Sequence, residues 1–275
     1  MTDQQDAPDT AGISVEVGDD HVATIEFSNP PHNFFSLKLL GQLADACDEL
    51  AADQRCRAIV LCSAGRHFCA GADFGTGGVQ GGRPPRAVQP AVLSEQNGLH
   101  LYDMAQRLFE QPLPVVAAVQ GAAIGGGLGL ALAADFRVAA PQARFAANFA
   151  LLGIHHGFAL TVTLPAAVGQ QAALDLLYTG RRIGGEEAVG IGLADRLAPS
   201  GEARTAARAM AASIAAAAPL AIRSIRQTMR GDLAERARAA MARERAEQEQ
   251  LMRTADWREG VAAVAARRTA QFTGQ

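Results

Sequence analysis

The glycine-rich stretch Gly121–Gly129 is the segment of this sequence whose chemistry is most readily predicted. It follows an apolar run at Val115–Val119 and precedes a second apolar run that ends at Asp135. This order predicts a strand, a tight turn and the start of a helix, where unpaired amide N–H groups can hold an anionic oxygen. Every residue from Gly121 to Ala134 is Gly, Ala, Ile or Leu, so the segment itself supplies no acid or base.

Known glycine motifs do not account for this stretch. The sequence has no GxxxxGK[ST] loop, and the glycines do not fit the GxGxxG dinucleotide fingerprint. The GxSxG and HExxH motifs are also absent. Close packing of a helix on a strand remains the alternative use for the glycines.

The composition limits the classes of partner. The chain has 275 residues, 49% of them hydrophobic, enough for one large domain or two small ones. Its net charge of −3 does not indicate general binding to nucleic acid or to a membrane surface. Residues 201–275 carry 13 Arg and 8 acidic residues, a net of +5, which leaves −8 for residues 1–200. Such a basic region either meets a phosphorylated ligand or is a helical surface with many ion pairs.

The cysteines and the first residues bear on the compartment. The four cysteines form no CxxC pair and have no metal-ligand spacing, so we expect a reduced, cytoplasmic protein without a metal site. Met1–Gly12 is polar and acidic, and we predict a disordered lead rather than a secretory signal. No apolar run reaches the roughly 18 residues that a membrane helix needs.

Strands and helices alternate through the first 200 residues. Ile13–Val17 and Val22–Phe27 predict a hairpin, and Ser36 can cap a helix that runs to about Asp53. The later elements predicted here are a strand at Arg57–Cys62, a mobile, exposed loop at Gly75–Pro90, a helix from about Ala91 to Glu110 and a strand beginning near Pro114. The alternation predicts an α/β fold with parallel strands and crossover helices.

The pattern changes after Gly201 to helices alone. The candidates are Arg204–Ala218, Leu220–Arg230, Asp232–Arg253 and Asp256–Thr269. We therefore predict a boundary near Pro199–Gly201, with a core at residues 13–200 and a helical region at residues 201–275.

Several separate blocks together resemble the crotonase superfamily, also called the enoyl-CoA hydratase/isomerase family. Arg66–Asp73 resembles the pattern F-[SC]-A-G-A-D, and Pro114–Asp135 resembles the pattern P-V-[IV]-A-A-V-x-G-x-A-x-G-G-G. The other blocks are Asn29–Ser36, Tyr178–Arg181, Ala188–Asp195, and Asp256–Gly260 with Arg267–Arg268. They occur in the family's order from about Ile13 to Phe272.

The resemblance implies a crotonase-like spiral of ββα repeats followed by a C-terminal helical trimerisation region. It also implies an acyl-CoA thioester as substrate, no further cofactor, and a homotrimer or a dimer of trimers. Matching the blocks residue by residue places the two amides that hold the thioester carbonyl at Ala72 and Gly126. Gly125 and Gly127 would let the chain approach the ligand closely.

The sequence departs from the family's hydratases at their carboxylates. The resemblance puts their two glutamates at Gly129 and Phe149, and an acidic residue of some isomerases at Gly157. Hydration of a double bond needs a base for the water and an acid for the α-carbon. We therefore expect negligible hydratase activity, and we expect Phe149 to pack against the acyl chain and exclude water.

Two adjacent histidines are candidates to replace those carboxylates. The resemblance places His155 and His156 in a turn beside the acyl pocket, and histidine titrates near neutrality. Successive residues of a turn usually point apart, so we expect no more than one of them to act. A surface or helix-capping pair is the alternative.

Other polar residues have simpler interpretations. Core packing is expected for Tyr102 and solvent exposure for His100, although some family members draw acyl-pocket groups from that helix. A structural role is expected for His67 and a helix cap for Asp73. Asp135 is expected to lie far from the carbonyl site.

The resemblance also suggests residues that hold CoA. The candidates are the backbone around His32 and Asn33, Ala70, the segment Ala72–Gly75 with Asp73 and Phe74, the glycines Gly125 and Gly129, and Phe149. A phosphate partner should be arginine because Lys38 is the only lysine. Arg66, Arg267 and Arg268 are candidates, with surface solvation as the alternative for each.

The predicted function is an acyl-CoA enzyme of fatty acid metabolism that stabilises an enolate or oxyanion. Isomerase, thioester hydrolase and C–C lyase reactions all remain open. The alternative from another class is a catalytically silent acyl-CoA-binding scaffold or oligomer partner. RNA binding, which the resemblance also raises, is opposed by the overall acidity.

Overall fold

The computed structural model describes residues 11–72 and 99–275. Several predictions fall outside these ranges: most of the disordered lead, the Gly75–Pro90 loop, and the site candidates Asp73, Phe74 and Gly75.

The larger sheet begins with the predicted hairpin. Strands β1 (Gly12–Val17) and β2 (Val22–Ser28) pair antiparallel. Strands β3 (Ala58–Ser63), β4 (Val115–Val119), β6 (Phe136–Ala139) and β9 (Arg196–Leu197) follow in parallel, in the order β1-β2-β3-β4-β6-β9. The parallel strands β3 and β4 are buried along their whole length, as expected for strands covered on both faces.

A smaller sheet lies across the glycine turn. Strand β5 (Ala122–Ile124) pairs parallel with β7 (Arg144–Ala146), which pairs antiparallel with β8 (Ile183–Gly184). Helix α3 (Gly126–Ala133) begins directly after β5 and every one of its residues is buried. The predicted order of strand, turn and helix is therefore present.

Helix α1 (Leu37–Ala52) has the predicted cap. The Ser36 hydroxyl accepts a hydrogen bond from the Leu39 amide at 3.1 Å, which satisfies one of the amides at the helix start. The buried face of the helix packs on the core with Leu39, Leu40, Leu43, Ala44, Ala46, Cys47 and Leu50.

Helix α2 (Leu101–Glu110) begins at Leu101, whereas the sequence predicts a helix from about Ala91, and the part of that prediction at residues 91–98 lies outside the described residues. His100 is its N-cap, with an extended backbone, and its ring accepts from the Tyr102 amide at 3.0 Å while Asp103 accepts from the His100 amide. The expected exposure of His100 is wrong, because the side chain is buried in this capping box.

Among the described residues before position 201, the remaining helices are a 3-10 turn at Ala150–Leu152 and three short α-helices, α4 (Leu160–Val168), α5 (Gln170–Thr179) and α6 (Gly185–Gly190). The four helices predicted after residue 201 are present as α7 (Ala203–Ala215), α8 (Pro219–Arg230), α9 (Leu233–Leu251) and α10 (Ala255–Ala265). Helix α7 packs on β2, β3, β4 and β6 and shares a hydrophobic cluster with them, whereas α9 packs on α2 and α4.

A test of the described residues for membrane spans finds no single helix with enough length and apolar character. One pair, α7 with α8, meets the length and composition limits only jointly, and its two helices are bent by 106°.

Asp135 anchors α8 to the end of the sheet. Its carboxylate accepts from the Val115 amide at 2.8 Å and pairs with Arg226 at 3.0 Å and Arg230 at 2.7 Å. All three side chains are largely buried. This arrangement gives Asp135 a structural role.

Candidate active site

A cavity of about 530 Å³ lies beside the glycine turn. Its described walls come from the segments 32–35 and 67–72, the start of α2, the turn 122–126, the segment 144–158, and the helices α9 and α10. Chain segments far apart in the sequence therefore meet around one space.

The two main-chain amides that are predicted to bind an oxyanion belong to Ala72 and Gly126. Both residues line this cavity. The Phe35 amide donates to the Gly71 carbonyl at 2.9 Å, and a Cβ built on Gly71 would lie 3.5 Å from the Gly126 nitrogen. The two segments are therefore close. Among the described residues, neither the Ala72 nor the Gly126 amide donates to another main-chain group.

Glycine is required along this turn because neighbouring groups occupy the space of a side chain. A Cβ on Gly126 would collide with the Phe35 ring, and one on Gly127 would collide with the Cys69 carbonyl. Gly125 has φ of 56° in the left-handed region, which favours glycine. The turn can therefore bring its backbone close to the segment 69–72, whose Cys69 carbonyl accepts from the Ile124 amide at 3.0 Å.

Aromatic rings fill two of the three positions where the resemblance predicts carboxylates. A Cβ on Gly129 would lie 2.5 Å from the Phe158 Cβ and 2.8 Å from its Cγ. Phe149 lines the cavity, and its ring would lie 3.6 Å from a Cβ on Gly125. The candidate Gly129 does not line the cavity, because the Phe158 side chain lies over it.

A polar pair occupies the third position. A Cβ on Gly157 would collide with the Tyr102 hydroxyl and would lie 2.6 Å from the Gln248 Nε2. Tyr102, Gly157 and Gln248 all line the cavity. Burial, together with the nearby Glu244 carboxyl, raises the pKa of Tyr102, so its phenol stays protonated at neutral pH.

Glu244 holds the loop that follows Gly157. Its fully buried carboxyl accepts from the Ala159 amide at 2.8 Å, and from the amide and hydroxyl of Thr161 at 3.0 and 2.7 Å. Phe158 and Ala159 have φ of 60° and 58°, a conformation that such residues rarely adopt. Burial raises the pKa of Glu244, while these hydrogen bonds oppose the change.

His155 and His156 do not line the cavity. Their rings stack with centroids 4.1 Å apart, and the His156 Nε2 lies 2.8 Å from the Thr161 hydroxyl. Because that hydroxyl donates to Glu244, the His156 Nε2 carries the proton of this hydrogen bond. Burial, with a smaller effect of His155, lowers the pKa of His156 to about 4. These contacts hold the two histidine rings by stacking and hydrogen bonding outside the cavity lining. A catalytic role for either histidine stays a prediction.

The charged side chains that line the described part of the cavity wall are cationic. Arg144, Arg182 and Arg267 line the cavity, as do His32 and His67, whose rings lie 5.3 Å apart. Burial lowers the pKa of His67, with smaller effects of His32 and Arg66. The described lining residues include no Asp or Glu, so their net charge is positive.

Several predicted site residues lie elsewhere. Asn33 is buried and structural, because its Nδ2 donates to the carbonyls of Ala64 and His67, both at 2.7 Å. Arg66 is exposed and outside the lining, and Arg268 pairs with Glu259 at 2.5 Å. His32, Ala70, Gly125, Phe149 and Arg267 do line the cavity.

The sequence interpretation missed three polar residues of the lining, Arg144, Arg182 and Gln248. Tyr102 packs in the core as expected and also lines the cavity. Of the three arginines among the described lining residues, the sequence interpretation selected only Arg267. Spacing gives no signal for Gln248, which reaches the cavity from α9, 146 residues after Tyr102.

No group of three or more His, Cys, Asp and Glu side chains within residues 11–72 and 99–275 is arranged to hold a metal ion.

Comparisons with known proteins agree on one family. The family description "Enoyl-CoA hydratase/isomerase" matches residues 18–275. A protein of Bacillus subtilis (strain 168) described as a probable enoyl-CoA hydratase is 32% identical over 264 residues, covering 96% of this chain and 99% of that protein. One of Mycobacterium tuberculosis (strain CDC 1551 / Oshkosh), also described as a probable enoyl-CoA hydratase, is 39% identical over 213 residues, covering 77% and 79%.

Solved structures give the same result. The crystal structure of an enoyl-CoA hydratase/isomerase from Pseudoalteromonas atlantica T6c superposes with a TM-score of 0.83 at 28% identity, covering 95% of this chain and 99% of that one. With the match over residues 18–275, this chain belongs to the enoyl-CoA hydratase/isomerase family of the crotonase superfamily.

Proposed function

We propose that the cavity binds an acyl-CoA thioester and that the Ala72 and Gly126 amides stabilise negative charge on its carbonyl oxygen. The observation that carries this proposal is the meeting of these residues at one cavity whose charged lining residues are cationic. The reaction is one that does not add water to a double bond.

The cationic side chains of the lining support the choice of ligand. CoA carries several phosphate charges, and the guanidinium group matches phosphate oxygens with two parallel donors. Arg144, Arg182 and Arg267 are all exposed at the cavity and are therefore free to reach a phosphate without loss of a buried ion pair. The Phe149 and Phe158 rings supply the apolar surface that an acyl chain would contact.

The oxyanion contact is supported by two amides without a main-chain acceptor among the described residues. Donors that are fixed before the reaction act where charge develops and need no rearrangement. Removal of one such donor from other enzymes costs about 3–4 kcal/mol of transition-state stabilisation. This contact serves isomerase, thioester hydrolase and C–C lyase chemistry alike, because each places charge on the thioester oxygen.

The lining argues against hydration. A hydratase needs one group to activate water and one to protonate the α-carbon. Phe149 and Gly129 stand where the resemblance predicts the two glutamates, and the Phe158 ring leaves no room for a side chain at position 129. The described residues that line the cavity include no carboxylate. The names of the relatives as probable hydratases therefore do not extend to the reaction of this chain.

Binding is tested by calorimetry with butyryl-CoA, CoA, and a CoA thioether that lacks the carbonyl oxygen. We expect the thioester to bind about 5- to 150-fold more tightly than the thioether, because two hydrogen bonds to the carbonyl are worth about 1–3 kcal/mol. Equal binding of thioester and thioether would contradict the oxyanion contact. Absence of binding by all three would contradict the whole proposal.

Turnover is tested separately. The enzyme at micromolar concentration is incubated with crotonyl-CoA, and hydration is followed by loss of absorbance. We expect no hydration above background, and ordinary turnover would overturn the argument from the missing carboxylates. A panel of acyl-CoA esters is then examined by mass spectrometry for isomerised, hydrolysed or cleaved products. Binding without any conversion would favour the catalytically silent scaffold.

We further propose a homotrimer or a dimer of trimers. Helix α8 buries none of its residues, and two of its large apolar side chains one turn apart, Ile225 and Met229, are 58% and 76% exposed in the single chain. Exposed neighbouring apolar side chains of this kind are typical of a surface that a partner covers. Light scattering after size-exclusion chromatography measures the mass, and a monomer would contradict this part of the proposal.

A further inference from the structure

Two polar side chains stand among apolar ones on one wall of the cavity. Tyr102 and Gln248 are 9% and 3% exposed, so both are removed from bulk water. The apolar residues that line the same cavity include Leu101, Phe149, Leu152, Ile154, Phe158 and Met252. Polar groups in such a setting need hydrogen-bond partners, because an unpaired buried donor costs free energy.

The hydrogen bonds of this pair fix its orientation. The Gln248 Nε2 donates to the His155 carbonyl at 3.0 Å, and a carbonyl only accepts, so the amide cannot be turned around. Its Oε1 then accepts from the Tyr102 hydroxyl at 3.0 Å, and that hydroxyl accepts from the Phe158 amide at 3.3 Å. The second hydrogen of Nε2 has no acceptor among the described residues.

Gly157 makes room for the pair at the edge of the cavity. A Cβ at this position would collide with the Tyr102 hydroxyl and would lie 2.6 Å from Nε2. Glycine therefore lets the pair pack directly against the main chain, and Tyr102, Gly157 and Gln248 all line the cavity. The Glu244 carboxyl holds the loop through the Ala159 and Thr161 amides, so this arrangement is fixed by buried contacts.

We propose that Tyr102 and Gln248 form a polar contact for the acyl group and select acyl chains that carry a hydroxyl or carbonyl oxygen over all-hydrocarbon chains. This inference rests on the proposed binding of acyl-CoA thioesters in the same cavity. An oxygen on the chain accepts the second Nε2 hydrogen, whereas a hydrocarbon chain excludes water and leaves that donor unpaired. Sites built to pair with a ligand oxygen discriminate in this way against analogues that lack it.

The test compares hexanoyl-CoA with its 3-, 4-, 5- and 6-hydroxy derivatives by calorimetry on the full chain. We expect at least one hydroxy derivative to bind about fivefold or more tightly than hexanoyl-CoA, the lower end of the effect of an unpaired buried donor. Gln248→Met keeps the size of the side chain without its donor and should abolish the difference. Gln250→Met, at an exposed position of the same helix, is the matched control and should preserve it.

The outcomes separate this inference from the proposed function. If hexanoyl-CoA binds as tightly as every hydroxy derivative, or if the preference survives Gln248→Met, the polar contact is refuted while acyl-CoA binding stands. If none of the five esters binds, the proposed function itself fails. Thermal unfolding checks that each variant folds. Should Gln248→Met not fold, Tyr102→Phe removes the hydroxyl that orients the amide and should reduce the preference instead, and an unchanged preference would again refute the contact.

Discussion

The contact between Gly129 and Phe158 predicts that a side chain cannot simply be restored at position 129. A Cβ there would lie 2.5, 2.8 and 2.9 Å from three atoms of Phe158, whereas carbon atoms normally approach to about 3.5–4.0 Å. Overpacking of this kind costs about 1–3 kcal/mol. We therefore expect Gly129→Ala to destabilise the protein although alanine is the better helix former.

The phenylalanine is the cause, and a double-mutant cycle isolates it. Phe158→Gly removes the ring and the Cβ and costs about 3–5 kcal/mol for the lost burial, reduced by about 1 kcal/mol because glycine tolerates the φ of 60°. In that background Gly129→Ala meets no Phe158 atoms and should stabilise α3 by about 1 kcal/mol. The predicted coupling energy is therefore about 2–4 kcal/mol.

Urea unfolding at one fixed protein concentration measures the cycle, since an oligomer's stability depends on concentration. Phe158→Ala is a graded variant that keeps the Cβ and should relieve only part of the clash. Gly190→Ala is the control, because a Cβ there has no atom within 4 Å. Additive free energies, or a Gly129→Ala variant as stable as the parent, would refute the steric argument. Gly129→Glu alone should likewise fail to create hydration of crotonyl-CoA.

Three further predictions concern stability. Asp135→Asn should lower the free energy of unfolding in urea by about 3–5 kcal/mol, because it leaves two largely buried arginines without their carboxylate. The control Asp175→Asn, in an exposed ion pair, should cost less than about 1 kcal/mol. Equal losses for the two variants would contradict the importance of the buried pairs. Ser36→Ala should cost about 1 kcal/mol by removing a helix cap, and an unchanged unfolding midpoint would count against it. The pKa of His156 is about 4 in the folded protein and 6.5 in the unfolded chain. The stability that its neutral form contributes is therefore fully present above pH 6.5 and is lost as the pH falls toward 4. The loss of unfolding free energy is at most about 1.4 kcal/mol per pH unit. His156→Gln should flatten the fall of unfolding free energy across that window, and a slope equal to that of the parent protein would refute the assignment.

The sequence predicted the elements because their signals are local. Ser36 marks a helix start by its own hydroxyl, and alternating residues mark the hairpin of β1 and β2. The start of α2 at Leu101 was not predicted because it depends on a capping box of His100 with Asp103, and a histidine cap has little sequence signature. Where the structure describes the chain, helix and strand boundaries otherwise differ from the predictions by a few residues.

In the candidate site, too, the features with a local sequence signal were the ones that the sequence predicted. Ala72 and Gly126 were predicted from motifs that are continuous in the sequence, and both line the cavity. Arg66 and the backbone around Asn33 were assigned to CoA from neighbouring motifs, but neither Arg66 nor Asn33 is among the residues that line the cavity, and the Asn33 side chain donates to the carbonyls of Ala64 and His67. Chain proximity fixes where a backbone lies but not where a side chain is aimed.

The sequence by itself determined the family, the succession of elements and the glycines whose missing side chains allow a tight turn beside the cavity. Only the tertiary structure decided which groups fill the space of the missing carboxylates: Phe158 over Gly129, and Tyr102 with Gln248 over Gly157. The physical reason is that a glycine in the sequence shows only that a side chain is missing. The group that fills the free volume comes from another segment that packing brings there. The spacing of residues along the chain does not indicate that contact.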